Sequence, residues 1–352
     1  MKIVVLAGGI STERTVSLVS GTCVCQALRR KGHQAILVDM FMGLENAPAD
    51  LSTLFDAPDG LCPDVKIAVE APDLEAVRRG RPDQSPSRLG PHVLDICRLA
   101  DIVFLGLHGQ DGEDGRIQAA LDLLGVPYTG AGHLASAVAM DKDKIVAKEM
   151  MDANGIPNPK WQVLTYTEDE ISHLAEILPM PCVVKAPTGG SSLGVYLPKD
   201  RTELADALRQ VRAYCDRVLV EERIYGREVT DAVLGERYLP AVESFPAIGN
   251  FDYTAKYQVG GAKEVCPAEL TEAEAKAVGE MAMRVHKALG LSVYSRTDMI
   301  LDKNGQIWCL EANSLPGMTP NSFVPKEAAA VGISYDDLCE EIVEQSLKIK
   351  RR

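Results

Sequence analysis

Asn304-Gly305 sits between two runs that alternate polar and apolar residues, and no other stretch of the chain restricts the fold so tightly. Asn-Gly favours a type I′ turn, so the sequence predicts a two-residue hairpin loop that fixes the register of its strands. Counting outward from that turn, Lys303 faces Gln306, Asp298 faces Glu311 and Arg296 faces Asn313. Alternation then places Arg296, Asp298, Glu311 and Asn313 on one face, and Thr297, Met299, Leu301, Trp308 and Leu310 on a core face. Two carboxylates opposed across a ladder at about 5 Å repel each other unless a cation lies between them. Oxygen-only donors (Asp298, Glu311 and the Asn313 carbonyl) suit Mg²⁺, which completes its shell with water and substrate phosphates. A solvated surface hairpin is the other reading of the same charges.

At 352 residues the chain is long enough for two or three domains, and its 46% hydrophobic content is ordinary for a globular protein. A net charge of -13 argues against nucleic acid or an anionic membrane as partner, while leaving room for a local basic phosphate pocket. No apolar run is long enough to span a bilayer, and the chain opens directly into a strand at Lys2 to Leu6, so a cytoplasmic protein is expected. Nine scattered cysteines without a C-x-x-C pair read as reduced thiols.

In chain order, Met1 to Leu6 reads as a strand, Ala7 to Thr12 as a glycine-rich loop and Glu13 to Lys31 as a helix ended by Gly32. Another strand follows at Gln34 to Val38. This order favours a doubly wound sheet with ligands at the strands' carboxyl ends. Glu13 reads either as a helix-dipole partner or as a carboxylate aimed at an ammonium group. Residues 41 to 99 say little, and Arg78 to Pro91 reads as an exposed loop. Asp101 to Leu107 is a buried strand leading into the acidic loop His108 to Gly115, whose spacing is not that of an EF-hand. His108 is either a loop-capping residue or a polar group beside a substrate.

A helix ends at Asn154-Gly155, and strands follow at Trp161 to Leu164 and Pro181 to Lys185. Lys185, closing an apolar strand, requires an anion. The loop Ala186 to Gly194 after it can cover phosphate, although it is not a Walker A motif, and a plain hairpin loop is the alternative. Strands follow at Arg217 to Val220, Gly226 to Val233 and Tyr238 to Glu243. The long segment Phe245 to Pro267 reads as a lid, and Thr271 to Gly290 as a helix.

Several motifs occur together along nearly the whole chain: Gly8-Gly-Ile-Ser-Thr-Glu13, His108-Gly-Gln-Asp-Gly-Glu-Asp-Gly115, Gly125-Val-Pro-Tyr-Thr-Gly130, Met140-Asp-Lys142, Val184-Lys-Ala-Pro-Thr-Gly-Gly-Ser-Ser-Leu-Gly194, Ala255-Lys-Tyr257, Arg296-Thr-Asp298 and Glu311-Ala-Asn313-Ser-Leu-Pro-Gly317. In these motifs the chain resembles the D-alanine-D-alanine ligases of the ATP-grasp superfamily. The resemblance implies a mixed α/β and α+β fold: a Rossmann-like amino-terminal substrate domain over residues 1-140, a central ATP-grasp domain over 141-224 and a carboxy-terminal ATP-grasp domain over 225-352.

It also implies a reaction in which a first D-alanine takes the γ-phosphoryl group of ATP and the amine of a second displaces phosphate, supplying a peptidoglycan precursor. Asp298, Glu311 and Asn313 would hold two Mg²⁺ ions, for which Mn²⁺ can substitute. Lys142, Lys185 and Lys256 would contact phosphates under the Ser191-Ser192 loop. Glu221, Ile224 and Glu228 match the adenosine-binding stretch, with Glu228 the ribose partner. Arg296 and the Gly317 N-H would form the oxyanion site, and Glu13 would bind the first ammonium, linked through Ser191 to Tyr257. His108 would lie near that substrate, and Ser322 would receive the second carboxylate. A homodimer is what the family suggests.

The sequence departs from the common pattern at Ala186, between Lys185 and Pro187, and at Phe323, where many members carry leucine beside the acceptor pocket. Phe323 keeps open a resistance-type ligase making D-alanyl-D-serine or D-alanyl-D-lactate, whereas Tyr257 favours D-alanine. Another carboxylate-amine ligase and a non-catalytic ATP-binding module are the remaining alternatives.

Overall fold

The computed structural model describes residues 1–65, 72–139, 144–187, 194–213, 215–246 and 262–351. Met140 to Lys142, Ser191, Ser192, Lys256 and Tyr257 therefore lie outside the described residues. So do the predicted lid's centre and the boundary expected near Met140.

Three sheets organise the described chain. The first is parallel, with β1 (Lys2–Ala7) between β2 (Gln34–Asp39) and β3 (Ile102–Leu105). Its apolar residues are buried on both faces, as a parallel sheet requires. A parallel bridge from Val103 to Tyr128 extends it. The helix Arg14–Arg30 lies close against this sheet because Gly21 has no side chain: a Cβ there would come within 2.6 Å of the Ala7 Cβ.

The second sheet pairs β4 (Trp161–Thr165), β7 (Arg217–Glu222), β5 (Cys182–Lys185) and β6 (Val195–Tyr196) in that order. The third runs β11 (Ala262–Val265), β10 (Val242–Pro246), β8 (Gly226–Leu234), β12 (Tyr294–Asp302), β13 (Ile307–Asn313), with β9 (Arg237–Tyr238) also on β8. The single strand expected over Tyr238 to Glu243 is thus two strands, because the chain leaves β8 after Leu239 and returns at Val242. The closing helices Phe323–Ala330 and Tyr335–Leu347 bring Val324, Ala328, Leu338 and Ile342 into the same core as β1 and β3. Arg30 and Lys31 seal that seam with ion pairs to Asp336 and Asp337. Among the described residues no helix is long and apolar enough to cross a membrane.

The hairpin corrects the sequence reading. Leu301 pairs with Ile307, so the loop holds three residues, Lys303 to Gly305, with Gly305 at φ +79°. That is the three-residue type closed by a left-handed glycine. Ile307 and Cys309, not Trp308 and Leu310, therefore enter the core from β13, joined by Ala312 further along the strand. A β-bulge then adds Leu310 as an extra residue between the Met299–Cys309 and Asp298–Glu311 pairs. It reverses the alternation, so that Asp298 faces Glu311 and Arg296 faces Asn313, as the simple count predicts.

Arg78 to Pro91 is also not an exposed loop throughout. Arg81 is buried, donating to the Ser87 and Leu89 carbonyl oxygens at 2.5 and 3.0 Å and lying over the Phe41 ring. The guanidinium serves as an internal brace for a segment without a sheet of its own.

Candidate active site

The bulged hairpin delivers four polar residues to one face. Arg296 grips Asp298 through two hydrogen bonds, of 3.0 and 2.8 Å, and Thr230 of β8 donates to the same carboxylate at 2.9 Å. Lys144 stands 2.6 Å from Glu311. Each carboxylate thus has a protein cation against it. The donor set is two carboxylates and one amide, and the Asn313 Nδ2 is buried with no hydrogen-bond partner among the described residues. Hard oxygen donors beside already attracted positive charge fit a Mg²⁺-type ion. Among the described residues no three His, Cys, Asp or Glu side chains gather into a group that could hold a metal ion.

A lysine cluster flanks this face. Lys185, at the end of β5, meets the anion its position requires: Glu221 of β7, 2.5 Å away. Lys148 reaches the same carboxylate at 2.5 Å, and Glu221 and Lys148 are both buried. Burial pushes the Glu221 carboxyl upward, but the two ammonium groups outweigh it and hold the group at about 2. Burial, with Lys148 and Lys144 close by, lowers Lys185 despite Glu221. Lys148 and Lys185 against one shared buried carboxylate leave an excess of positive charge, and Lys144, paired with Glu311, stands close enough to act on Lys185. Ile224 lies in the link between β7 and β8, and Glu228 is half-buried on β8 opposite Ile300.

On the other side of Arg296 lies an acidic site from the first sheet's loops. A Cβ on Gly109 would fall 2.9 Å from the Glu13 Oε2, so glycine lets that carboxylate approach the backbone of the His108 loop. The Gly109 N-H donates at 2.6 Å to Glu113, which is fully buried. Burial, and then Glu13, push Glu113 up to about 8. His108 donates from Nδ1 to the Leu315 carbonyl oxygen at 3.1 Å, which leaves Nε2 to accept from the Ser20 hydroxyl at 3.3 Å. Burial lowers its pKa, so it is neutral in this arrangement. The charge of Arg296 acts on both His108 and Glu113, so the hairpin arginine lies near both groups.

Ser322 begins the helix Phe323–Ala330, yet its hydroxyl turns to Thr319, 3.1 Å from the backbone N and 2.8 Å from Oγ1. A Cβ on Gly317 would lie 3.0 Å from that hydroxyl, so Gly317 and Ser322 are neighbours. The Phe323 ring covers the Arg296 guanidinium at 5.5 Å.

Contacts, strand pairings and charge effects thus link Glu13, His108, Arg296, Asp298, Glu311, Asn313, Gly317, Ser322 and Phe323 into one neighbourhood, and Lys144, paired with Glu311, connects it to Glu221 and Lys185. Lys142, Ser191, Ser192, Lys256 and Tyr257 lie outside the described residues. The sequence reading overlooked Glu113, Lys144 and Lys148 as site residues. Spacing held a clue for the lysines, because residues four apart share a helix face. Nothing local marks Glu113 as the buried member of its acidic loop.

A parallel-sheet unit followed by two antiparallel sheets, with lysines at one and paired carboxylates on the other, is the architecture of an ATP-grasp ligase. Family models agree: "D-ala D-ala ligase N-terminus" matches residues 2–131 and "D-ala D-ala ligase C-terminus" residues 150–344. The chain belongs to the D-alanine–D-alanine ligase family and is an ATP-dependent ligase. It is 41% identical to the D-alanine–D-alanine ligase of Pediococcus pentosaceus, over 97% of both chains. Its fold is similar to the Bacillus anthracis D-alanine–D-alanine ligase complexed with ATP, with TM-score 0.69, 28% identity and coverage of 99% and 97% of the two chains. It is also similar to the VanG D-Ala:D-Ser ligase of Enterococcus faecalis, with TM-score 0.73, 28% identity and coverage of 98% and 99%.

Proposed function

We propose that the chain joins two D-alanines into D-alanyl-D-alanine for cell-wall precursor synthesis, through a D-alanyl phosphate. The observation that carries this reading is the charge order across the cleft: an acidic pair, then Arg296, then the hairpin carboxylates, then an excess of lysine.

Glu13 and Glu113 repel each other in a buried site, and the ammonium of the first D-alanine relieves that repulsion. Its carboxylate then points toward Arg296, and an oxygen of it attacks the γ-phosphorus of ATP as ADP leaves. Lys185, with Lys142 and Lys256, holds the phosphates, and Glu228 the ribose. Glu221 is assigned here to orienting Lys148 and Lys185 rather than to adenosine.

Asp298, Glu311 and Asn313 would hold Mg²⁺, or Mn²⁺ in its place; the metal supplies charge neutralisation between carboxylate and triphosphate. The second D-alanine, its carboxylate at Ser322, attacks the acyl carbon with its amine. Arg296 and the Gly317 N-H stabilise the resulting oxyanion, phosphate leaves with the C-O bond, and the amine gives up a proton. Asp298 fixes the orientation of the guanidinium, so no reorganisation is needed when the oxyanion forms. Ser191, Ser192 and Tyr257 are assigned to closing the site and excluding water.

Phosphate release from Mg²⁺-ATP with D-alanine alone, with products identified by mass, tests the reading. D-alanyl-D-alanine as the main product supports it. A mixed product when D-serine or D-lactate is added in competition would move the acceptor assignment, with Phe323 as the first residue to exchange. ATP binding without phosphate release under any amino-acid mixture would overturn it.

A further inference from the structure

Glu327 is completely buried, and no step above uses it. Its place is set by a gap in the third sheet. β10 pairs with β8 as far as Thr230, and β9 pairs with it from Val233. Between them the Ala232 carbonyl accepts from the Leu239 N-H at 2.8 Å, so the Ala232 N-H points to the same edge. That N-H donates to the Glu327 Oε2 at 2.6 Å. A side chain from the helix Phe323–Ala330 has replaced a strand.

The other edge of Ala232 matters as much. Ala232 pairs directly with Arg296 across β8 and β12, and the Arg296 guanidinium lies under the Phe323 ring. Phe323 and Glu327 are four residues apart, one above the other on a single helix face. Glu327, Ala232, Arg296 and Phe323 therefore form a closed circuit that begins and ends on this helix.

The burial of a carboxyl here has a physical basis. Asp231 is also buried, and both of its oxygens, like the Glu327 Oε1, have no partner among the described residues. Burial raises both groups well above the usual carboxylate range, and for Glu327 the neighbouring Asp231 adds to it. Arg296 pulls Glu327 down and Asp298 pushes it up, without reversing the balance. A protonated acid can stay in such a core and still accept from Ala232.

We propose that Glu327 is a positioning residue for the acceptor side of the reaction, standing in for a strand at Ala232 and so holding Ser322 and Phe323 at a fixed distance from Arg296. This rests on the assignment of Ser322 and Phe323 to the second D-alanine. The test is steady-state kinetics on the full chain, resolving KM for the two D-alanines and for ATP, with thermal unfolding of each variant.

Glu327→Ala should raise KM for the second D-alanine by about tenfold, the worth of one buried hydrogen bond, and leave KM for ATP within about twofold. Glu327→Gln, whose amide oxygen still accepts from Ala232, should stay within about threefold of the parent. Glu327→Asp keeps the acid but draws it away from Ala232, and should behave like the alanine variant; it is the deciding variant if Glu327→Ala does not fold. Unchanged kinetics in a folded Glu327→Ala or Glu327→Asp protein would overturn the proposal. So would a joint rise in every KM, or a fall in kcat alone. Ser322→Ala separates the two assignments. If it raises the acceptor KM while the Glu327 variants do not, the positioning role alone is wrong; if it leaves that KM unchanged, the acceptor assignment falls and the proposal with it.

Discussion

Glu221 and Glu113 are both buried carboxyls, yet one is held at about 2 and the other is pushed up to about 8. Burial raises both; the difference lies in their neighbours. Glu221 lies between Lys148 and Lys185, whereas Glu113 has Glu13 nearby and, among the described residues, the Gly109 and Leu315 N-H groups as its donors. One wall of the cleft therefore carries more cations than its own carboxylate can neutralise. The other sets a second carboxylate, Glu13, close enough to Glu113 to raise it further. A polyanion relieves the first wall and an ammonium group the second, which is the pairing of ATP with an amino acid.

The largest expected effect comes from removing the residue between the two walls. Arg296→Ala should lower kcat by about 10²–10³-fold, the usual cost of one oxyanion donor, in a protein that still folds. Near-normal turnover would mean that Arg296 does not join the walls.

The comparison breaks next at Glu221. Glu221→Leu leaves Lys148 and Lys185 buried without their counter-charge and should cost about 3–5 kcal/mol of stability. Saturating ATP should restore part of that loss in thermal unfolding, and no restoration would detach the cluster from phosphate binding. In the parent protein the sign is fixed by the lowered carboxyl. Its contribution, about 3 kcal/mol, is complete above the ordinary carboxyl value of 4.5 and is lost as pH falls from there through about 2. Acid unfolding of Glu221→Gln should lack this dependence.

Glu113 has the opposite sign. Its folded form retains a proton from pH 4.5 up to about 8, so its contribution to stability falls as pH rises across that window. An ammonium bound beside it favours ionisation, so binding of D-alanine near pH 7 should release a proton, visible by calorimetry in buffers of different ionisation enthalpy. Glu113→Gln should abolish the release and raise KM for the first D-alanine by about tenfold. Proton release that persists in this variant would assign it to another group. The smallest effect belongs at the hairpin tip, away from both walls. Gly305→Ala, at φ +79° with open space around its Cβ, should cost about 1 kcal/mol and leave turnover unchanged.

Much of this was legible in the residues. The parallel strands Lys2–Ala7 and Ile102–Leu105 are short apolar runs ending in glycine loops, and their burial follows from composition. Lys185 at the end of an apolar strand demanded an anion, although not which one. Other features were not legible. The hairpin count reached the right carboxylate pairs through a two-residue loop that does not exist, because a three-residue loop and the bulge at Leu310 cancel each other. A bulge leaves no mark in alternation when the extra residue, here the half-buried Leu310, is itself apolar. The burial of Arg81 was hidden likewise, since its acceptors are backbone carbonyls that no residue type announces.

By itself the sequence determined the family, the hairpin and the identity of most charged groups at the cleft, because these depend on local turn chemistry and residue type. The tertiary structure decided which carboxylates meet cations and which meet one another. It set Glu221 between two lysines, Glu113 against Glu13, and Glu327 into the gap at Ala232. Those pairings join residues distant in the chain, and the sign of a buried charge's shift depends on what the fold places next to it.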